Sequence, residues 1–179
     1  MVEKIKEERI CPSAIATSYT GKAKRAVKEL KDIIFPYDPE AEVLETRFRD
    51  VILIYTILDK ESLKNLMKKM RPSALARFVV ADKCIILKNQ DEILRLTDVI
   101  EDMFIKYRGA KFYVDCIKRG DFIDSCHRLE TLIGRRLYEK NLGIIDFKKP
   151  DLIIKLENID NMFLISIIKP KEDRLKRSF

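Results

Sequence analysis

The longest apolar run in the chain, Val51 to Leu58, is eight residues. That is far too short to cross a bilayer, and it suits a buried strand. The other strand-like runs are no longer. They are punctuated by stretches in which apolar residues recur every three or four positions. Such alternation directs a chain toward helices packed on sheets. With 179 residues, of which 46% are hydrophobic, there is material for one ordinary domain or two small ones, each with a buried core.

The order of elements can be read along the first half. Ser13 to Ser18 (SAIATS) is a short strand candidate. After Gly21, Ala26, Leu30, Ile33 and Ile34 share one helical face, while Lys22, Arg25, Lys28 and Lys31 crowd away from it. Pro36 and Pro39 end that helix. Val43 to Phe48 and Val51 to Leu58 read as a hairpin turning at Arg49-Asp50. Asp59 caps a second helix with Leu63, Leu66, Met67 and Met70 on one face, stopped by Pro72. Arg77 to Val80 and Lys83 to Leu87 follow as strand material. The sequence β-α-β-β-α-β predicts a ferredoxin-like split unit over residues 1–88.

The second half predicts a helix over Asp91 to Tyr107, buried through Ile93, Leu96, Ile100, Met103, Phe104 and Tyr107. Its other side is acidic (Asp91, Glu92, Asp98, Glu101, Asp102), so it should point away from any nucleic acid. A strand at Phe112 to Ile117 leads to a helix over Asp121 to Lys140, in which Asp121 and Asp124 suit the positive end of the helix dipole. Three strands follow at Ile144 to Phe147, Leu152 to Leu156 and Met162 to Ile168. The end of the chain, KPKEDRLKRSF, reads as a mobile basic tail, with residues 171–179 outside both domains.

Composition narrows the chemistry. The five glycines, Gly21, Gly109, Gly120, Gly134 and Gly143, are nowhere closer than nine positions. No Walker loop, Rossmann fingerprint or paired-glycine loop can be built from them. Cys11, Cys84, Cys116 and Cys126 form no C-x-x-C pair, and His127 is the single histidine. A metal site is therefore not expected, and the cysteines read as thiols in a reducing cytosol. Cys126 and His127 adjoin on a helix, where side chains diverge by about 100°, so they make a poor nucleophile–base pair. Met1 to Ile10 is mostly charged and carries no apolar leader core. Gln occurs once, amid abundant Lys, Arg, Glu and Ile, a bias that suits a thermophile. These readings anticipate a cytoplasmic, non-catalytic protein without cofactor.

The charge is better organised. Lys plus Arg number 36 against 29 for Asp plus Glu, a net +7, which favours an anionic partner. Lys118-Arg119-Gly120 ends a strand just before a helix start. Arg128, Arg135 and Arg136 lie on the polar side of that helix, Lys148 and Lys149 lie in a loop, and Lys22, Lys24, Arg25 and Lys28 cluster on the first helix. Such groups read phosphates, conferring affinity and orientation. Gly134 within a helix costs about 1 kcal/mol relative to Ala, which points either to close approach of another backbone or to helix–sheet packing. Arg108 to Val114 (RGAKFYV) superficially matches an RNA-recognition strand, but Ala110 replaces one stacking aromatic and Tyr113 points away from Phe112. Phe112 is read as core, so recognition of RNA shape and phosphate is favoured over stacking on an open sheet.

The run FYVDCIKRG, the helix ending LIGRRLYE, and GIIDFKKPDLIIKLENI with FLISII together resemble a THUMP domain. The motif positions are Lys118, Arg119, Gly120, Ile133, Gly134, Asp146, Pro150 and Asp151. The resemblance covers about residues 91–170 and implies an α+β chain, ferredoxin-like over 1–88 and an α/β THUMP domain over 89–170. It also implies an RNA-binding adaptor that holds the acceptor stem and 3′ end of tRNA for a separate modifying enzyme. By similarity to stand-alone members, that enzyme would be a tRNA cytidine N4-acetyltransferase. The alternatives are an RNA-binding subunit of a split methyltransferase or thiolation enzyme and, in another class, a ferredoxin-like module binding a small metabolite. A cysteine hydrolase acting through Cys126 is the least favoured.

Overall fold

The computed structural model describes residues 11–175, so the charged stretch Met1 to Ile10 and the last tail residues, 176–179, lie outside the description. The chain forms two compact units, Met1–Asp82 with Glu172–Phe179, and Lys83–Lys171. Each has its own sheet.

The first unit runs β1 (Ala14–Ser18), α1 (Ala23–Ile34), β2 (Glu42–Glu45), β3 (Val51–Tyr55), α2 (Lys60–Met70) and β4 (Leu75–Val80). The strand order is β2-β3-β1-β4 with every pairing antiparallel, the ferredoxin-like arrangement expected from the element order. Helix α1 buries Ala26, Leu30, Ile33 and Ile34, the stripe its periodicity predicts. At α2 the Asp59 carboxylate accepts from the Ser62 amide at 2.8 Å, and the chain leaves through Arg71 in a left-handed conformation. The β2–β3 turn holds Asp50 at φ 62°, and its carboxylate accepts from the Gly21 amide and the Ser18 hydroxyl, both at 3.1 Å. Burial raises the Glu29 carboxyl, but the Ala74 amide and Ser73 hydroxyl, with Arg25 beside them, outweigh it and hold it below the ordinary range.

Two parts of the expected organisation fall elsewhere. Lys83–Ile86 (β5) pairs antiparallel with the last strand of the second sheet, so the units divide after Asp82. The tail is docked over residues 172–175. The Phe78 amide donates to the Asp173 carbonyl at 2.9 Å, Arg77 Nε pairs with Asp173 at 3.0 Å, and Leu175 packs on the first unit's core. This segment caps the edge of β4, which would otherwise present open backbone groups.

The second unit opens with β5 and continues through α3 (Ile93–Phe104), flanked by short 3₁₀ turns at Gln90–Glu92 and Ile105–Tyr107. Then follow β6 (Ala110–Arg119), α4 (Cys126–Glu139), β7 (Gly143–Ile145), β8 (Leu152–Ile159) and β9 (Met162–Ile168). The order is β5-β9-β8-β6-β7, with β6 parallel to both of its neighbours. Leu96, Ile100 and Phe104 of α3 and Leu129, Ile133 and Leu137 of α4 join Phe112, Val114, Ile154, Leu156, Phe163 and Ile165 in one core. Phe112 is fully buried, as its place in the strand suggests. Helix α4 starts at Cys126 rather than near Asp121, because Ser125 is its cap, accepting from the Arg128 amide at 3.4 Å. Asp121 and Asp124 therefore sit in the preceding loop.

None of the described cysteines is free. Cys116 on β6 and Cys126 on α4 form a disulfide with a Cα–Cα distance of 5.4 Å. This corrects the expectation of reduced thiols, and it also takes Cys126 out of contention as a nucleophile.

Gly120, at φ 97°, closes β6, and a Cβ there would stand 2.5 Å from Asp160 Oδ1 and 3.3 Å from the Asp160 Cα. Gly120→Ala is expected to cost about 1–3 kcal/mol, measured by urea unfolding against Gly109→Ala, where the positive φ is similar but nothing lies within 4 Å.

Candidate nucleic-acid interface

The cations singled out in the sequence divide into two groups by what their side chains touch. Arg119 is largely buried, 11% exposed, and its Nη1 lies 2.6 Å from the Glu157 carboxylate, itself 1% exposed. Lys118 Nζ donates to the Ile123 carbonyl at 2.8 Å and to the Asp124 carbonyl at 3.4 Å, bracing the loop that leads into α4. Arg136 donates to Glu101 at 2.8 Å, to Thr97 at 2.7 Å and to Asp98. Arg25 bridges Glu29 at 3.1 Å and Ser73 at 2.9 Å. Arg119 and Arg136 are thereby held within the fold, whereas Lys118 and Arg25 are exposed but engaged by these bonds.

The remaining cations are turned outward. Lys22, Lys24 and Lys28 are exposed along α1, with no carboxylate partner among the described residues. Lys148 and Lys149 are exposed where β7 gives way to β8. Their backbone amides both donate to Asp146 Oδ1 at 2.9 Å, so the turn is fixed while the two ammonium groups remain outside. Those two bonds, followed in effect by Lys111 beside it, hold the Asp146 carboxyl below its usual range. Arg128 lines a shallow recess with Gln90, Ile93, Leu129 and Leu132. Arg135 is 75% exposed and, among the described residues, forms an ion pair only with Glu139, one helical turn away, a contact worth tenths of a kcal/mol.

The acidic side of α3 has a different use from the one its composition suggests. Asp98 and Glu101 receive Arg136 and Lys140 from α4, with Lys140 Nζ 2.5 Å from Glu101. The face is an inter-helix ion-pair network, with its negative charge partly neutralised. The bond from Lys140 depresses the Glu101 carboxyl most; burial opposes it and Arg136 adds to it.

Sequence reasoning missed a cleft of about 290 Å³ beside α4. Phe112, Tyr113 and Val114 of β6, Glu130 and Gly134 of α4, and Ile145 and Phe147 are among its walls. The rings of Tyr113 and Phe147 lie 5.8 Å apart. Phe147 is 74% exposed although aromatic, a feature that the sequence, which places it at the end of a strand, does not display. A Cβ added at Gly134 would meet only Ile145 Cδ1, at 3.6 Å, so no backbone presses against this glycine. Among the described residues no group of three His, Cys, Asp or Glu side chains could hold a metal, and no helix is long and apolar enough to cross a membrane.

No protein-family model and no curated protein matches the sequence. Solved structures do share the fold. TrmN from Thermus thermophilus superposes with a TM-score of 0.65 at 16% identity, over 90% of this chain and 46% of that one. A 4-thiouridine synthetase, solved as an RNA complex with bound ATP, gives 0.57 at 16% identity, covering 87% and 41%. A possible methylase from Clostridium difficile 630 gives 0.57 at 15% identity, covering 87% and 40%. The chain thus spans less than half the length of these three proteins. At this level of identity the likeness establishes architecture alone: a ferredoxin-like unit followed in the chain by a second α/β unit.

Two expectations follow from the ion pairs. Arg119→Ala leaves Glu157 charged and buried, and should cost about 3 kcal/mol in urea unfolding. Glu101→Gln should melt below the parent at neutral pH. Because the folded carboxyl is depressed, the stability it contributes is present above its unfolded value and is lost as pH falls through the folded one. The difference in melting temperature between the two proteins should therefore close as the pH falls below the ordinary carboxylate range.

Proposed function

We propose that this chain is a THUMP-type RNA-binding protein that grips the acceptor stem and 3′ end of tRNA for a separate tRNA-modifying enzyme. The observation that carries the reading is the set of outward lysines, Lys22, Lys24, Lys28, Lys148 and Lys149, on a fold shared with a 4-thiouridine synthetase solved in complex with RNA. Cations without an internal ion pair can neutralise phosphate at no cost to the fold. Arg128 and Arg135 add to the cations of the second unit, since Arg135 can exchange the weak Glu139 contact for a phosphate. Lys118, Arg119, Arg136 and Arg25 act mainly by fixing the backbone that displays the others.

In this reading the chain supplies binding and orientation, and the partner supplies the reaction. A tRNA cytidine N4-acetyltransferase is the partner suggested by the resemblance to stand-alone THUMP proteins. A methyltransferase or thiolation partner has equal support, because the fold neighbours include a possible methylase and a 4-thiouridine synthetase. Co-purification with the partner, followed by nucleoside analysis of tRNA from cells lacking this chain, distinguishes acetylated, methylated and thiolated products.

The binding claim is tested directly by tRNA affinity across a salt series. The logarithm of affinity should fall linearly with that of salt concentration, and the slope should shrink by about 0.9 for each duplex phosphate contact removed. Replacing Lys22, Lys24 and Lys28 together by Ala, and separately Lys148 and Lys149, should weaken binding and flatten the slope while leaving the melting temperature within about 1–2 °C. Unchanged slopes in both variants would remove these lysines from the interface.

A further inference from the structure

We propose that the cleft between α4 and the open edge of β6 holds one unpaired nucleobase of a bound RNA. The inference rests on the RNA-binding reading and adds to it a site that reads a base rather than a phosphate.

Its polar groups come from the strand edge. Along β6 the backbone groups of Lys111 and Arg119 face β8, whereas the Phe112 carbonyl faces β7 and accepts from the Asp146 amide at 2.9 Å. Alternation therefore turns the Val114 amide and carbonyl toward the same side as Phe112. There β7 has already ended, and neither group has a partner among the described residues. Two residues further along the strand, the Cys116 amide donates to Glu130 Oε1 at 2.8 Å. Within the cleft this leaves the Val114 donor and acceptor open, with the Glu130 side chain among the walls. An added strand needs a run of free donors and acceptors, and Glu130 already occupies the next donor along this edge. The open Val114 pair suits the edge of a base, which presents a donor and an acceptor side by side.

The rest of the cleft meets the other requirements of a base. Phe112, Val114 and Ile145 form an apolar floor, and the exposed Phe147 ring supplies a stacking wall. About 290 Å³ accommodates one planar heterocycle. Arg135 is among the lining residues, and Lys148 and Lys149 follow Phe147 in the chain, so the backbone of the same nucleotide would meet positive charge. Gly134 is explained as well. It lines the cleft, and a Cβ there would clash with nothing, touching only Ile145 Cδ1 at 3.6 Å, so the small residue keeps space in the cleft despite its cost to the helix.

The test uses the full chain and two RNA hairpins with one stem sequence. One is blunt; the other carries a short single-stranded extension containing 2-aminopurine, placed in separate arms at the 5′ and the 3′ end. An extended hairpin should bind more tightly than the blunt one, with a change in 2-aminopurine fluorescence. Phe147→Ala, which removes an exposed ring, should abolish that preference, a loss of roughly ten-fold or more, and leave blunt-hairpin affinity and its salt slope unchanged. Gly134→Leu, filling the cleft, should do the same. Equal affinity for both hairpins, or equal loss on both in Phe147→Ala, overturns the base site and leaves RNA binding standing. Failure to bind either hairpin or whole tRNA overturns both readings.

Discussion

The parallel pairing of β6 with β8 governs the second unit. It runs from Phe112 opposite Leu152 to Arg119 opposite Ile159, a length that neither the helices nor the outer strand matches. Strand β7 covers β6 only from Ala110 to Phe112. Helix α4 then takes over the edge with side chains, through Glu130 and the Cys116–Cys126 disulfide. The gap between those two forms of cover is the apolar cleft. The same pairing brings Arg119 to Glu157 and Lys155 to Asp115 across adjacent strands, so charge at the end of the sheet is consumed internally before any ligand arrives.

That consumption separates two kinds of positive charge which composition counts as one. A guanidinium held by a buried carboxylate is costly to remove, because its partner would be left charged in a poorly hydrated place. A lysine on the outer side of α1 has no such obligation. A net charge of +7 therefore understates how selectively the cations are deployed. Those near the disulfide-bridged loop build the scaffold, while those on α1 and the β7–β8 turn are available for counterion exchange with a polyanion.

What could be read in advance follows from the range of the interactions involved. The buried stripes of α1 and α3, the Asp59 cap and the ferredoxin-like order depend on residues a few positions apart, and periodicity displays them. The allegiance of Lys83–Ile86 was not legible, because its apolar pattern serves either sheet and only the long-range pairing with β9 decides. The start of α4 was misplaced for a related reason. Phe122 and Ile123 look like the first turn of an amphipathic helix, yet Ile123 is buried within the loop and Ser125 provides the cap. The pairing of Cys116 with Cys126, and of Arg136 with Glu101, joins residues that meet only after the chain has folded back. The stacking wall was overlooked because Tyr113 was assessed as a member of its strand, whereas its ring partner Phe147 comes from a turn over thirty residues later.

The return of residues 172–175 to β4 makes the ferredoxin-like unit discontinuous in the chain and the second unit an insertion within it. The two are consequently unequal under dissection. Residues 83–171 can be excised with a single uninterrupted gene segment, but cutting the polypeptide after residue 82 strips the preceding unit of the strap along its outermost strand. A fragment made that way would expose a naked β edge, and its self-association would report the missing strap rather than an intrinsic taste for oligomers.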